Sequence, residues 1–161
     1  MTKANKSKQA TIAFKANDET LQSFLGYHLK RGFNVVQGDL TKTLKPFELR
    51  MLTYTALTLI VDNPGLSQSQ LADAMDIERP NLVVIVDELE QRELITRDRV
   101  PTDRRAYALR STLKGQHLFK RAVAAVTLHE QALFQGIDPE TRTLIVSAMK
   151  QIQLRAAKDS R

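Results

Sequence analysis

The chain has 161 residues, with 24 Lys and Arg against 18 Asp and Glu for a formal net charge of +6, and no cysteine. The missing cysteine excludes disulfides, a thiol switch and Cys-ligated zinc. The length suffices for one domain with a real core, and no apolar run nears the roughly 20 residues that span a bilayer. The polar N-terminal stretch lacks the apolar segment of a secretory signal, so a cytoplasmic protein with a polyanionic partner is expected.

Residues 1–17 carry Lys3, Lys6, Lys8 and Lys15 and no acid, and read as a disordered basic tail. A single domain is expected over 18–157. From about Asp18, the residues Leu21, Phe24, Leu25, His28, Leu29, Gly32 and Val36 recur at helical spacing. That stripe is wide enough to serve both a core and a second subunit. Pro46 is expected to open the next helix. Its run from Phe47 through Leu49, Met51, Leu52, Tyr54, Ala56, Leu57, Leu59, Ile60 and Val61 leaves almost no polar face. Asp62-Asn63-Pro64-Gly65 stops it with turn chemistry.

Ser67 can cap a short helix bearing Leu71, Ala72 and Met75 on one face, and Asp76 interrupts it. A second helix starts near Arg79, with Pro80 in the first turn, where a missing N–H costs nothing. Leu82, Ile85, Val86 and Leu89 follow at i, i+3, i+4 and i+7, the core-facing stripe. Pro80, Val84, Asp87 and Gln91 lie on the opposite face. Leu94–Asp98 and Ala106–Arg110 are strand-compatible runs around a basic tip. From Leu94 to Ser111 there are five Arg and two Asp, a local charge of +3. Helix, turn, helix and basic hairpin form the layout of a winged helix-turn-helix over about 45–111. In that layout one helix enters a major groove and the hairpin reaches the backbone or the minor groove.

Thr112 can cap a long helix with Leu118, Ala122, Ala125, Val126, His129 and Leu133 on one face. Gly136 ends or kinks it. Asp138-Pro139 is an N-cap followed by Pro at the first helical position, opening a final helix with Leu144, Ile145, Ala148, Met149 and Ile152. The helical regions at about 18–41 and 112–157 exceed what a compact winged helix needs. Burying their stripes in a symmetric homodimer is the simplest solution. The fold class is thus mainly α with a small β-hairpin wing, flanked by N- and C-terminal dimerisation helices.

Three residues segments carry a family likeness: Leu94-Ile95-Thr96-Arg97 with Asp103-Arg104-Arg105 and Thr112-Leu113-Lys114-Gly115, Leu66 to Ala72, and Val86 to Glu90. Together they resemble the wing and helix-turn-helix signatures of the MarR family of bacterial transcription regulators, over about residues 20–155. The resemblance implies a homodimer that places two recognition helices in successive major grooves of a near-palindromic operator. It also implies a repressor released by a small aromatic or anionic ligand, bound between the dimer helices and the DNA-binding lobe. Asp76 and Glu93 stand where the family commonly has glycine, Ser111 where leucine is usual, and Val83 and Val84 where a polar or basic reader is common.

Expected site residues follow. In the recognition helix, Arg79 can bond guanine O6 and N7 and Asn81 adenine N6 and N7, while Pro80 and Val84 meet thymine methyls. The competing reading of Val84 is a stray apolar surface residue. Gln68, Ser69 and Gln70 begin the preceding helix, whose N–H groups can hold phosphate. In the wing, Arg104 is the first candidate for the minor groove, Asp103 positions a wing arginine, and Arg97, Arg99 and Arg105 serve phosphates or the internal brace. His28, Arg50 and Tyr54 put polar groups on otherwise apolar helices. They are either ligand-pocket residues or structural, and Arg50 could hold a carboxylate.

No HExxH, GxSxG, P-loop or GxGxxG pattern occurs, and His28, His117 and His129 are scattered. No enzyme activity, cofactor or metal is expected. The competing non-enzymatic reading is a winged-helix protein-interaction module without ligand control, which would tend to replace the wing arginines with apolar or acidic residues.

Overall fold

The computed structural model describes residues 17–100 and 103–159, with backbone alone at 100, 103–106 and 156–159. The expected basic tail lies outside the described residues except for its last position. The chain falls into two units, one ending at Val35 and one beginning at Val36.

The first unit holds α1 (Glu19–Gln22) and the start of α2 (Leu25–Leu44). The stripe expected to run unbroken from Leu21 is interrupted between these helices. Ser23 Oγ donates to Thr20 O at 2.8 Å, and the Asp18 carboxylate accepts from Gln22 Nε2 at 2.9 Å and from Tyr27 Oη. Short polar side chains that bond nearby backbone and side-chain groups compete with the helical ladder and end it here. Leu21, Phe24, Leu25, Phe33 and Val35 are exposed.

The second unit takes up the rest. After α2 comes a 3₁₀ turn (Lys45–Phe47), then α3 (Met51–Asp62), β1 (Leu66–Ser67), α4 (Gln68–Met75) and α5 (Arg79–Gln91). Next are β2 (Ile95–Val100), β3 (Asp103–Ser111), α6 (Leu113–Leu133) and α7 (Pro139–Asp159). Pro46 does not open α3, as the sequence suggested. It sits in the 3₁₀ turn, which ends on left-handed Glu48 (φ 55°), and α3 starts only after Arg50. Proline's fixed φ suits the first turn of either helix type, so the residue alone does not choose between them.

Two apolar clusters form the core of this unit. The larger joins Ala56, Leu57 and Ile60 of α3, Leu71 of α4, and Leu82, Ile85, Val86 and Leu89 of α5 to Leu94, Ile95 and Leu109 of the wing base. The smaller joins Leu44, Leu49 and Ala122, with Phe47, Tyr54 and Leu118 partly buried against them. The four predicted α5 stripe residues are all buried.

The wing strands are longer than the sequence suggested, and they gain a third partner. The sheet order is β1-β3-β2, all antiparallel, with Leu66 opposite Leu109 and Ile95 opposite Ser111. The β2–β3 register breaks between Arg99 and Val100. The two-residue β1 escaped the sequence reading because the strand it pairs with lies more than forty positions away.

The predicted caps hold. Thr112 Oγ1 accepts from Gly115 N at 3.0 Å at the start of α6. Asp138 accepts from Thr141 N at 2.9 Å and from the Thr141 hydroxyl at 2.6 Å at the start of α7. Gly136, at φ 94°, closes the end of α6. On α7, Leu144, Ile145, Val146, Ile152 and Leu154 are exposed.

Candidate nucleic-acid interface

The surface of interest begins at the start of α4. Ser67 Oγ accepts from Gln70 N at 3.2 Å and Gln70 Oε1 accepts from Ser67 N at 3.0 Å, a reciprocal capping box. Gln70 therefore has its side-chain oxygen engaged in the cap, while Gln68 and Ser69 are half-buried beside it. At the far end of α4, Asp76 takes the left-handed conformation (φ 51°). Its N–H reaches Asp73 O, and the Ile77 N–H reaches Ala72 O, both at 3.2 Å. Asp tolerates this region at modest cost, so the departure from glycine leaves the turn intact.

Past this turn, Glu78 caps α5 through its backbone and Pro80 occupies the first turn. Arg79, Pro80, Asn81, Val83 and Val84 are all exposed, and they share the first two turns. Val84 is 62% exposed and Val83 42%. The opposite stripe is buried, so the helix presents a compact patch of one cation, one amide and three apolar side chains to solvent.

The wing is fastened to this helix through Arg97. Its guanidinium bonds the Asp87 carboxylate, and Arg97 Nε lies 3.1 Å from Glu90 Oε2, close enough for charge attraction but not aligned as a hydrogen bond. The Arg97 side chain is only 21% exposed, so solvent screens this pair less than a surface bridge. Asp87 and Glu90 are one helical turn apart on α5, and their roles as anchors were not anticipated. The outward position of Asp87 was readable from helical spacing, but its pairing with a strand residue was not.

Within the wing, Arg110 Nε lies 3.3 Å from Asp98 Oδ2, a brace between β3 and β2. Arg99 is exposed on β2. Asp103, Arg104 and Arg105 begin β3 next to the tip; their side chains lie outside the described residues.

Each of the three candidate pocket residues has local partners of its own. His28 belongs to the first unit and its Nε2 is 2.8 Å from Gln22 O. Arg50 caps α3 and its guanidinium bonds Glu88 on α5. Tyr54 is half-buried in the smaller core cluster, where burial raises its phenol pKa above the ordinary 10.0, helped by the charges of Glu130 and Asp62 and opposed by a bond with Thr58.

A capped helix, a left-handed turn and a second helix with an exposed reading face, fastened to an arginine-bearing β-hairpin, define a winged helix-turn-helix DNA-binding protein. A model of the MarR family matches residues 49–107. The putative transcriptional regulatory protein for the hcr operon of Thauera aromatica is 36% identical over 129 residues, covering 80% of this chain and 78% of that protein. The chain belongs to the MarR family of transcription regulators. Among solved structures, the transcriptional repressor CouR bound to a 23-mer DNA duplex aligns with a TM-score of 0.82 at 33% identity, covering 87% of this chain and 99% of that one. CouR from Rhodococcus jostii RHA1 bound to p-coumaroyl-CoA aligns at 0.77 and 30%, covering 83% and 94%. Among the described residues, no helix is long and apolar enough to cross a membrane.

Proposed function

We propose that two copies of this chain repress transcription by binding one near-palindromic duplex, with α5 of each copy in a major groove and each wing over the adjoining minor groove. The observation that carries this reading is the exposed Arg79–Val84 face on a helix whose other side is fully buried. Arg79 and Asn81 supply the polar base contacts; Pro80 and Val84 meet thymine methyls, which explains apolar side chains left in water. Arg104 enters the minor groove, Arg99 and Arg105 hold phosphates, and the N–H groups at Gln68, Ser69 and Gln70 hold another. Arg97 serves as the brace, because its guanidinium is already bonded to α5. Selection of bound duplexes from a random pool tests the reading: two half-sites about one helical turn apart, centre to centre, are expected. Recovery of unrelated sequences would overturn it.

Release is assigned to an aromatic, anionic effector. The support is the CouR relative, which was solved with p-coumaroyl-CoA, an aromatic acyl thioester. Such a ligand acts by favouring one of two dimer geometries. Tyr54, half-buried against apolar neighbours, is retained as a contact for its aromatic part. Arg50, already bonded to Glu88, would have to exchange partners to join it.

A further inference from the structure

In the second unit, an open cavity of about 790 Å³ lies between the 3₁₀ turn, the start of β2 and the start of α6. Its volume is in the range of sites that take drug-sized ligands. The α6 wall is unusual. Lys114, His117 and Arg121 follow at i, i+3 and i+7, so one helical stripe lines the space with three basic residues. Arg92 faces them from the end of α5.

These charges are incompletely neutralised. Arg92 spends two donors on uncharged acceptors, the carbonyls of Glu48 at 2.6 Å and Phe47 at 3.0 Å. Its nearest carboxylate, Glu48, stands 3.8 Å away and is itself largely in water. Lys114 meets Glu93 at 3.0 Å. Arg121 stacks over the Phe47 ring, 5.6 Å from its centre, and no carboxylate among the described residues lies within ion-pair distance of it. Positive charge thus exceeds negative around a space floored by Phe47, Leu94 and Leu118. None of these groups has been assigned a contact with DNA.

We propose that this cavity binds the phosphate-bearing nucleotide end of a coenzyme A thioester effector. The assignment rests on the ligand control put forward above and deepens it. Coenzyme A carries a diphosphate, a ribose 3′-phosphate and an adenine. Convergent Lys and Arg heads suit the phosphates, and the Phe47–Arg121 stack offers a plane for the base. An open, wet site suits this charged end, whereas the apolar acyl group needs enclosure.

The test is calorimetric titration of the full-length protein with coenzyme A lacking an acyl group, with p-coumaroyl-CoA and with free p-coumarate. Wild-type protein is expected to bind unacylated coenzyme A. The double substitution Lys114→Gln and Arg121→Gln should weaken both coenzyme A species at least about tenfold, since each loses a charge-assisted contact. It should leave p-coumarate binding, thermal melting and affinity for the selected duplex unchanged. Undetectable coenzyme A binding by the wild type, or equal binding by the variant, overturns the assignment. A separate arm asks whether p-coumaroyl-CoA releases the duplex. No release refutes effector control by this ligand, while the DNA-free titration still decides what the cavity binds.

Discussion

An alanine methyl at Gly115 would stand 2.0 Å from the Leu94 carbonyl oxygen and 2.9 Å from its carbon. The obstacle is backbone, so no side chain can turn aside to relieve it. Gly115→Ala is expected to cost about 3 kcal/mol or more, read as a lower urea midpoint with little change in slope. The left-handed residues act in the opposite sense. At Glu93 (φ 58°) a glycine relieves backbone strain, so Glu93→Gly should raise stability by roughly 0.5 kcal/mol, less whatever the exposed Lys114 bridge contributes. For the Arg97–Asp87 pair, alanine at either position should weaken duplex binding by loosening the wing. The double variant should lose less than the sum of the two, a coupling of about 1 kcal/mol in a double-mutant cycle. Arg104→Ala should reduce the slope of log affinity against log salt by about one, as expected for one lost phosphate-groove contact. An unchanged slope in an anisotropy titration removes Arg104 from the minor groove.

Helix ends show which parts of the structure the sequence carries openly. Ser67, Thr112 and Asp138 were legible because a cap is settled by a side chain and the amides two or three positions on. Pro46 was misread because a local rule serves two helix types. Strand β1 and the Arg97 anchor were hidden because each depends on chain brought in from far away. The outward face of α5 needs only helical arithmetic, which is why Val84 stands out in the sequence as an apolar residue opposite the core stripe. At the α7 cap, the Thr141 hydroxyl, then its amide, hold the Asp138 carboxyl below its ordinary value of 3.8. A depressed folded pKa means that the cap's contribution is present above the unfolded value and fades as pH falls through the folded one. Acid titration below about pH 4 should therefore fray α7, and Asp138→Ala should remove that pH-dependent loss of helicity, followed by circular dichroism.

At the scale of the whole protein, the exposed apolar side chains on α1, α2 and α7 are too many for helices meant to face water. We propose that a second copy covers part of this apolar surface, which would supply the other reading head that a palindrome requires. Leu144→Glu with Ile145→Glu should give a monomer by analytical ultracentrifugation, with specific duplex affinity falling by orders of magnitude while α3–α6 remain folded. A dimer of normal affinity would move the interface elsewhere.

The three-stranded sheet has a mechanical corollary. Strand β3 is hydrogen-bonded on one edge to the residues that launch α4 and on the other to the strand clamped onto α5, and α6 seats its glycine directly against Leu94. Among the described residues, the starts of α4 and α6, the body of α5 and the wing strands are thus joined through one sheet and its packing. If an inducer acts by changing the spacing of two such heads rather than their interior, amide exchange within α4, α5 and the described wing strands stays slow when it arrives.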